Sequence, residues 1–597
     1  MDSSKQKIEY NQILQFSSSS LNINTMLQTK IAEQLKRIIK AKSVEIEVFA
    51  PENPKHGHYS TNAALKLAKV LKKNPFEIGE KIKKLLETKK FFERIEVVPP
   101  GFINFWISEE ILETELKTII KSEDDYGQSE NLKGKKVMLE FTDPNPFKEF
   151  HIGHLYTNIV GESLARILEA NGARVKRANY QGDVGMHAAK AIWGIKKKMA
   201  SEKMNLTELA KRTLDYRIKF MGVGYALGDK GFTENEAIKL EIVDLNKKIF
   251  ALDKDIKEIY QKGRKWSLDY FEKIYKRLGT KFDFYYFERE AGEVGFKIVK
   301  DGLKRGLFEE SDGAIIFPGE KYGLHRRVFI NSQGLPTYEA KELGLAPTKY
   351  KDFKYDLSLI ITANEIIDYF KVLIMALKQI YPKLGARTRH IPHGMVRFAS
   401  GKMSSRTGNV VKGEDLLEEV KKGVLKIIEK GERKISAKER GDVAEAVALA
   451  AIKYAFLKTS IGSDMVFDFK RALSLEGDSG PYIQYTYARL KSVLRKASGW
   501  PKKIDFMLLD TEPEKAVVRE LIYFPDAVSR AAERLETNII TEYLYKLAGA
   551  LNVFYETTPI LKADRPLREN RLNLIRAATI VLKNSLRLLG IKAPERM

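Results

Sequence analysis

The sequence predicts a multidomain α/β protein whose centre is a nucleotide-binding parallel sheet. The segment Glu140–Gly185 reads as strand, loop, helix and strand, which is the order of a βαβ unit. Before it, residues 22–108 alternate helical and strand-like patterns, and after residue 413 the chain is almost wholly amphipathic helix. With 597 residues the chain is too long for one core, so we expect several domains.

Four regions follow from these shifts in pattern. Residues 1–20 end in a serine run and read as a flexible extension. We assign residues 21–121 to a small α/β domain, 122–412 to the catalytic domain and 413–597 to an all-α domain. A helical stretch at about 196–285, rich in Lys, Glu and Tyr, reads as an insertion. The runs AIIFPG, RRVFINSQG and LSLIITA are then expected to resume the sheet, and HIPHGMV to close it.

The composition restricts the class of protein. A formal net charge of +24 and a pI near 9.5 favour a polyanionic partner such as nucleic acid. The absence of cysteine excludes disulfides, thiolate-bound zinc and a cysteine nucleophile, and the eight histidines form no metal-binding pattern, so we expect no metal site. No apolar run approaches the roughly 20 residues that span a bilayer, and no signal-peptide pattern is present. We therefore expect a cytoplasmic protein without membrane contact.

The turn after the first strand of the βαβ unit carries the predicted chemistry. A Pro-rich loop follows the apolar strand 135–142 and delivers His151, Gly153 and His154 to the start of a helix. A helix N-terminus at the carboxyl end of a strand has free N–H groups that bind phosphate. Two imidazoles beside these donors suit a triphosphate during displacement at phosphorus, and Gly153 leaves room for adenine. A histidine-containing helix cap is the structural alternative.

A second segment makes the turn more specific. A polar loop, KMSSR at residues 402–406, follows a strand-like run that ends at Val396. The His-x-Gly-His turn followed by this loop on an α/β pattern resembles the signature of class I aminoacyl-tRNA synthetases. The resemblance implies that Lys402 is catalytic, as His151 and His154 are. The loop residues it assigns to ATP binding are Ser404, Ser405 and Arg406.

The resemblance also identifies a compensating lysine and an adenine site. The loop of this family usually has a second lysine, and Ser405 stands in its place here. Family members that lack that lysine typically have one at the position of Lys148, which is three residues before His151. We therefore assign phosphate binding to Lys148 as well as Lys402. Backbone groups around Met395 and Val396 are expected to receive adenine.

Both flanking domains resemble the arginyl-tRNA synthetase family. Residues 56–62 and 100–106 are similar to its N-terminal domain, which contacts the tRNA elbow. Residues 467–489 and 588–597 are similar to its anticodon-binding domain and C-terminus, so the resemblance covers nearly the whole chain. Exposed aromatic and polar side chains there are candidates for RNA contact, with packing in the core as the alternative. These candidates are Asn104, Trp106, Tyr482, Gln484, Tyr485 and Arg489.

Arginine as substrate requires fixed carboxylates, because a guanidinium is always charged and must be paired when water is removed. Glu140 ends an apolar strand at the sheet edge, where an unpaired carboxylate is costly. The resemblance assigns Glu140 and Glu342 to the guanidinium, with an outward-facing charge as the alternative for each. It also assigns Tyr338 and Asn145 to arginine binding. Asp183 is expected to be a structural or substrate-orienting group.

The implied function is that of an arginine–tRNA ligase. ATP would activate L-arginine to arginyl-adenylate with release of pyrophosphate, and the terminal 2′-hydroxyl of arginine tRNA would then capture the arginyl group and release AMP. The resemblance implies that Mg²⁺ accompanies ATP and that activation requires bound tRNA. We expect a monomer whose partners are arginine tRNA, L-arginine and ATP. Two alternatives remain: a tRNA-binding paralogue without activity, and a synthetase for another amino acid.

Overall fold

A computed structural model describes residues 26–39, 44–399, 411–430, 436–497 and 505–597. These ranges form an N-terminal α/β domain, a catalytic region built on a parallel sheet, and a C-terminal helical domain. Within them, no helix is long and apolar enough to cross a membrane. The predicted extension at residues 1–20 lies outside the described residues.

The N-terminal domain is a four-stranded antiparallel sheet covered by helices. The strand order is β1-β2-β4-β3, and the alternation of buried and exposed residues in β3 turns one face of the sheet to the helices. A fourth helix then leads into the catalytic region. The elements are α1 (Leu27–Ile39), β1 (Val48–Phe49), β2 (Tyr59–Thr61), α2 (Ala63–Leu71), α3 (Pro75–Leu86), β3 (Phe92–Val98), β4 (Phe102–Ile107) and α4 (Glu109–Ser122).

The catalytic region contains nine strands between residues 136 and 398. The strands are β5 (Lys136–Glu140), β6 (Arg174–Gln181), β7 (Phe284–Phe287), β8 (Glu309–Ser311), β9 (Ala314–Phe317), β10 (Arg327–Ile330), β11 (Leu357–Ala363), β12 (Thr388–His393) and β13 (Val396–Phe398). The helices are α5 (Ile152–Ala170), α6 (Met186–Ser201), α7 (Leu206–Lys211), α8 (Leu214–Glu234), α9 (Glu236–Ala251), α10 (Lys254–Leu278), α11 (Glu288–Lys304), α12 (Tyr338–Asp352), α13 (Ile367–Ile380) and α14 (Pro382–Arg387).

Five of these strands form the predicted parallel sheet, in the order β12-β11-β5-β6-β7. The apolar strand β5 is central, with Glu140 aligned to Ile360 on one side and Ala178 on the other. Both faces are covered, as expected for a parallel sheet. Helix α5 packs on one face, and α12 and α13 pack on the other. The carboxyl ends of the strands therefore meet at one edge, which both helix layers border.

Two of the expected sheet strands lie elsewhere. The prediction that AIIF and RVFI resume the main sheet is wrong, because they are β9 and β10 of a separate antiparallel sheet with order β10-β9-β8. The reason is local: Asp312 and Gly313 have φ values of 51° and 73°, which favour a tight hairpin between β8 and β9. The LSLIITA run does join the parallel sheet as β11. The HIPHGMV run closes this sheet only in part, because HIPH ends the edge strand β12 whereas Val396 begins β13, which lies outside it.

Helices α6–α10 make up the helical insertion and have an apolar core of their own. The C-terminal helices pack against α4 of the N-terminal domain and α5 of the catalytic region. They are α15 (Gly413–Lys430), α16 (Ala437–Leu457), α17 (Phe469–Ala472), α18 (Gly480–Lys496), α19 (Glu512–Ile522), α20 (Phe524–Arg534), α21 (Asn538–Thr557) and α22 (Arg565–Leu588). A short strand among them, β14 (Met465–Phe467), pairs with β13 of the catalytic region. The Tyr59 hydroxyl of the N-terminal domain donates to Asp526 of α20 at 2.8 Å.

Candidate active site

The loop between β5 and α5 has a strained backbone that its neighbours hold in place. Thr142, Asp143 and Phe147 have φ values of 82°, 43° and 68°, a region that residues other than glycine rarely adopt. Asn158 donates to the Thr142 hydroxyl at 3.0 Å, and Asp143 accepts the Tyr180 N–H at 2.8 Å. The Phe147 ring is buried in the core of the insertion. Three separate elements therefore fix the loop that leads into the predicted turn.

His151 and His154 form a stacked pair at the N-terminus of α5, with ring centroids 3.5 Å apart. His151 Nδ1 accepts the N–H groups of Gly153 and His154 at 3.1 and 3.4 Å, and His154 Nδ1 accepts the His151 N–H at 3.3 Å. Because both Nδ1 atoms are acceptors, each neutral ring carries its proton on Nε2. A Cβ at Gly153 would lie 3.0 Å from His151 Cε1, so a larger residue would crowd the cap.

Both imidazoles are neutral at physiological pH. Burial and the positive charge of Lys148 lower the pKa of His151 to about 4. Burial, His151 and Lys148 lower the pKa of His154 well below its usual value. The pair therefore presents two Nε2–H donors without net charge, and the positive charge near the turn comes from Lys148.

Lys148 lies next to the histidines and against the insertion. Its Nζ is 5.0 Å from the ring centroid of Tyr225, and it makes no ion pair with any residue that the structure describes. The following residue, Glu149, pairs with Lys412 at 2.5 Å. Lys412 also forms an antiparallel bridge with His151. The chain that emerges from the predicted lysine loop is thus attached to the histidine turn.

The predicted lysine loop itself falls outside the described residues, and its roles stay predictions. The residues concerned are Lys402, Ser404, Ser405 and Arg406. On its N-terminal side, the Ala399 N–H donates to the Phe467 carbonyl at 3.1 Å. On its C-terminal side, the Val411 carbonyl accepts the Ile152 N–H at 2.9 Å. The second of these attachments lies within the first turn of α5.

Some of the backbone groups expected to bind adenine already make hydrogen bonds within the protein. The Met395 N–H donates to the Asp464 carboxylate at 2.8 Å, and the Met395 carbonyl accepts the Met465 N–H at 2.9 Å. Val396 is aligned with Met465 in the parallel ladder, whose alternation turns the Val396 N–H and carbonyl away from β14. Among the described strands, none pairs with that side of β13. Val396 is therefore better placed than Met395 to offer free backbone groups.

Two buried ion pairs lie at the sheet edge on the side of α12. Glu140 Oε2 and Lys349 Nζ are 2.5 Å apart, and their side chains are 1% and 2% exposed. Glu288 Oε2 and Lys341 Nζ are also 2.5 Å apart and buried. Such pairing is expected because an isolated charge is costly in a low dielectric. One carboxylate oxygen of Glu140 is therefore already bound to the Lys349 ammonium.

Two further acids, Glu342 and Asp143, lie beside these ion pairs, and together with Glu140, Glu288, Lys341 and Lys349 they form what we call the acid pocket. Neither Glu342 nor Asp143 makes an ion pair within the described parts of the chain. Burial raises the pKa of both carboxyl groups well above its usual value, and the negative charge of Glu140 adds to this effect, whereas Lys349 opposes it. The pocket thus holds four carboxyl groups against two ammonium groups. A bound cation would favour the ionised form of these acids and take the place of their protons.

Asn145 and Tyr338 border the acid pocket. A Cβ at Gly182 would lie 2.2 Å from Asn145 Oδ1 and 3.2 Å from Glu288 Oε1, so only glycine allows these two groups to approach the backbone there. Tyr338 begins α12 and is 58% exposed, and its ring centroid lies 4.5 Å from Lys341 Nζ. Both side chains are therefore near one of the two buried ion pairs.

Asp183 occupies a different environment from the other predicted arginine ligands. It is fully buried, and its carboxylate accepts from the Tyr260 hydroxyl at 2.5 Å, from Arg264 Nη1 at 2.8 Å and from the Arg289 N–H at 3.1 Å. These donors come from α10 and α11. Of the two roles expected for Asp183, this arrangement favours the structural one, in which it attaches the insertion to the end of β6.

The residues predicted to contact RNA divide into a buried and a surface set. Asn104 is buried and accepts from the Ser60 hydroxyl, and Gln484 is buried and donates to the Lys592 carbonyl at 2.7 Å. Direct base contact by these two side chains is disfavoured, because Asn104 is 2% exposed and Gln484 is fully buried.

The surface set contains the aromatic residues and Arg489. The Arg489 guanidinium lies 4.7 Å from the Tyr485 ring centroid and 4.9 Å from that of Tyr555, a residue that the sequence did not single out. The Tyr482 hydroxyl accepts from Asn552 at 2.7 Å. On the N-terminal domain, Arg94 stacks on Trp106 at 4.2 Å. Aromatic rings with stacked arginines are suited to base stacking.

The sequence also missed several pocket residues. Lys349 lies two helical turns after Glu342, so the helical period places both on one face, and this signal was available. Glu288 and Lys341 come from different helices, and only the fold brings them together. Asp143 belongs to the Pro-rich loop after β5, but no motif singled it out.

Comparisons with known proteins agree with this geometry. Three family models match: "Arginyl tRNA synthetase N terminal domain" at residues 25–107, "tRNA synthetases class I (R), catalytic domain" at 115–469, and "DALR anticodon binding domain" at 483–597. The arginine–tRNA ligase of Treponema denticola is 32% identical, over 96% of this chain and 100% of that protein. That of Clostridium acetobutylicum is 31% identical, over 95% and 99%.

Solved structures give the same answer for the fold. The arginyl-tRNA synthetase of Thermus thermophilus superposes with a TM-score of 0.80 at 25% identity, and covers 96% of this chain and 100% of its own. The enzyme from Plasmodium falciparum matches with a TM-score of 0.78 at 24% identity over 96% of this chain. Because the catalytic-domain model covers more than half of the sequence and full-length relatives exceed 30% identity, this chain belongs to the class I arginyl-tRNA synthetase family.

Proposed function

We propose that this arginine–tRNA ligase binds the arginine side chain in the acid pocket, with the guanidinium between Glu140 and Glu342. The observation that supports this role is the excess of carboxyl groups over ammonium groups at the sheet edge. A guanidinium supplies one fixed charge and five donors in a plane, which suits two carboxylates that converge from a strand and a helix. Asn145 and Tyr338 would complete the site around the substrate backbone and alkyl chain.

ATP would lie across the N-terminus of α5. The Nε2–H groups of His151 and His154 and the Lys148 ammonium would contact the phosphates, and the free backbone of Val396 would receive adenine. Lys402 would add a second ammonium from the lysine loop. The arginine carboxylate would attack the α-phosphorus, and pyrophosphate would leave with its charge stabilised by these groups.

Transfer follows in the same place. The terminal 2′-hydroxyl of arginine tRNA would attack the carbonyl carbon of the adenylate, and AMP would leave with the electrons of the cleaved bond. No protein nucleophile is required in either step. Asp183 would act as a positioning residue, because it connects the insertion to the strand that borders the pocket.

Mg²⁺ is proposed to enter as part of the ATP complex. No group of three or more His, Asp or Glu side chains that could hold a metal occurs among the described residues, so the phosphates would be its main ligands. We propose no zinc site, since the sequence has no cysteine. We also infer a monomer, because one chain supplies every residue of the proposed site; size-exclusion chromatography with light scattering tests the oligomeric state. A cytoplasmic location is proposed because the sequence shows no signal-peptide pattern.

The tRNA would bind through both flanking domains. We propose that Tyr485, Arg489 and Tyr555 form the anticodon surface and that Trp106 contributes to the elbow contact, since these side chains combine aromatic area with positive charge. Tyr482 would orient this surface through Asn552. The formal charge of +24 supports binding to the phosphate backbone.

A pair of substitutions on one helix tests the arginine pocket. Glu342→Gln is expected to raise the KM for arginine about 100-fold, because a charged hydrogen bond inside the pocket is lost, while the KM for ATP stays within about twofold. Glu339→Gln is the matched control, since Glu339 lies on the same helix but pairs with Arg327 at 3.3 Å. An unchanged arginine KM in Glu342→Gln would remove the proposed pocket.

Pyrophosphate exchange tests the dependence of activation on tRNA. Exchange driven by arginine should appear when arginine tRNA is added and be nearly absent without it. Lysine and glutamine should drive neither exchange nor charging, because neither side chain offers a planar cation to the two carboxylates. Exchange at equal rates with and without tRNA would contradict the expected requirement.

A further inference from the structure

Tyr180, near the end of β6, has a buried hydroxyl group without a hydrogen-bond partner among the described residues. Tyr180 is 6% exposed, and its hydroxyl oxygen is buried without a hydrogen-bond partner among the described residues. Buried hydroxyl groups normally have a partner, because an unsatisfied one loses its bonds to water without replacement. The backbone of the same residue is well anchored, since its N–H donates to Asp143 at 2.8 Å. The unsatisfied group is therefore fixed in position.

The strand register places this hydroxyl over the acid pocket. Ala178 of β6 is aligned with Glu140 of β5, and Tyr180 follows two residues later on the same face of the sheet. It therefore extends one step beyond Glu140 toward the carboxyl edge. Burial and the negative charges of Glu288, Glu342 and Glu140 raise the pKa of Tyr180 well above its usual value. The hydroxyl keeps its proton and lies close to three of the four pocket carboxyl groups.

The neighbouring strand provides a contrast. Tyr286 of β7 is aligned with Tyr180, so the two rings are on the same face. The Tyr286 hydroxyl has a partner, since it donates to Asp352 at 3.1 Å. The two aligned tyrosines on this sheet face therefore differ, because the Tyr286 hydroxyl has a hydrogen-bond partner and the Tyr180 hydroxyl has none among the described residues.

We propose that Tyr180 is a further arginine-binding residue, whose hydroxyl accepts an N–H of the substrate guanidinium and donates its own proton to a pocket carboxylate. This inference rests on the proposed function of the acid pocket. A neutral oxygen that both accepts and donates fits between a planar donor and an acid, where another carboxylate would only add repulsion. With substrate bound, the Tyr180 hydroxyl would then have both a donor and an acceptor as partners.

Tyr180→Phe tests the role directly, because it removes only the hydroxyl. A group without a partner contributes no stabilising bond to the free enzyme, so the melting temperature should be equal to or higher than that of wild type. The KM for arginine in tRNA-dependent pyrophosphate exchange should rise about 10- to 100-fold, as expected for a lost hydrogen bond to a charged group, while the KM for ATP changes less than about twofold. Tyr286→Phe is the matched control and should leave the arginine KM unchanged.

A simplified inhibitor locates the contact. Butylguanidine carries the guanidinium and an alkyl chain but no amino or carboxyl group, and its inhibition constant should rise in Tyr180→Phe by the same factor as the arginine KM. An arginine KM in Tyr180→Phe within about twofold of wild type would overturn the inference, as would a weakened arginine KM with unchanged butylguanidine inhibition.

Glu342→Gln separates this inference from the pocket assignment. If Glu342→Gln raises the arginine KM and Tyr180→Phe does not, the pocket is correct and Tyr180 is not part of it. If neither substitution changes the arginine KM, the pocket assignment itself fails. A similar increase in Tyr286→Phe and Tyr180→Phe would indicate a general effect on the sheet and would also overturn the inference.

Discussion

The Glu140–Lys349 pair allows a test in which a second substitution should rescue the first. Glu140→Gln leaves the Lys349 ammonium buried beside a neutral amide, in a pocket that must accept a cationic side chain. Adding Lys349→Met removes this ammonium and keeps the amide. Both variants lack the Glu140 carboxylate, so the difference between them isolates the effect of the Lys349 charge on arginine binding.

The magnitude follows from the geometry of the pair. Two unit charges 2.5 Å apart attract by about 7 kcal/mol at an effective dielectric constant near 20, and most of this attraction offsets the cost of burying them. Without Glu140, the Lys349 ammonium instead repels the guanidinium. At a separation of roughly 6 Å the same dielectric constant gives about 3 kcal/mol, which is about 100-fold in KM.

The assay is the arginine KM in tRNA-dependent pyrophosphate exchange, measured for both variants and for Lys349→Met alone. We expect the KM of Glu140→Gln to exceed that of the double variant by about 100-fold. Thermal unfolding gives an independent measure, since breaking one partner of a buried pair costs about 3–5 kcal/mol and replacing both costs much less. Equal arginine KM values in Glu140→Gln and the double variant would refute the proposal that Lys349 balances the charge of this pocket.

Three further predictions follow. Burial and the charge of Glu140 raise the pKa of Glu342, so protons compete with the guanidinium, and the arginine KM should rise as pH falls below that raised pKa. The ATP KM should stay constant between pH 6 and 8, because the His151 pKa of about 4 keeps that ring neutral. Lys148→Ala should lower the activation rate about 100-fold or more and leave tRNA affinity within about twofold, as measured by single-turnover kinetics and filter binding. Burial raises the pKa of Asp526 to about 7, so the protonated carboxyl group stabilises the fold at low pH and this contribution to stability is lost as pH rises to 7. An asparagine stays neutral at every pH, so the gain in melting temperature from Asp526→Asn should be larger at pH 8 than at pH 5.

The part of the candidate active site that depends on short-range features was predictable from the sequence. A strand, a Pro-rich turn and a helix that starts at His151 are short-range features, and their periodicity and turn residues determine them. Glu140 was predictable for a similar reason, because an acid that ends a buried strand must find a cationic partner. The structure adds that the cap bonds fix the tautomers of both histidines.

The partners of the acids were not predictable in the same way. Glu288 and Lys341 meet across two helices, and no periodicity relates positions 53 residues apart. The separate sheet of β8, β9 and β10 was missed because a strand-like run does not reveal which strand it pairs with. Asn104 and Gln484 were assigned to the RNA surface by motif alone. Whether a side chain is buried depends on which face of its strand or helix the rest of the domain covers, and a sequence motif does not show this.

The acids and the proposed phosphate-binding groups lie on opposite faces of the parallel sheet. The acids lie on the face covered by α12, and the histidines and Lys148 lie at the start of α5, which covers the other face. If the histidines were charged, they would compete with arginine for the acids across the short carboxyl edge. Because burial keeps both rings neutral, they would donate hydrogen bonds to the proposed phosphate groups without adding charge that the acids attract. In the proposed binding mode, the cationic side chain and the triphosphate would therefore bind on opposite sides of the edge, and the substrate carboxylate would meet the α-phosphorus where the two sides join.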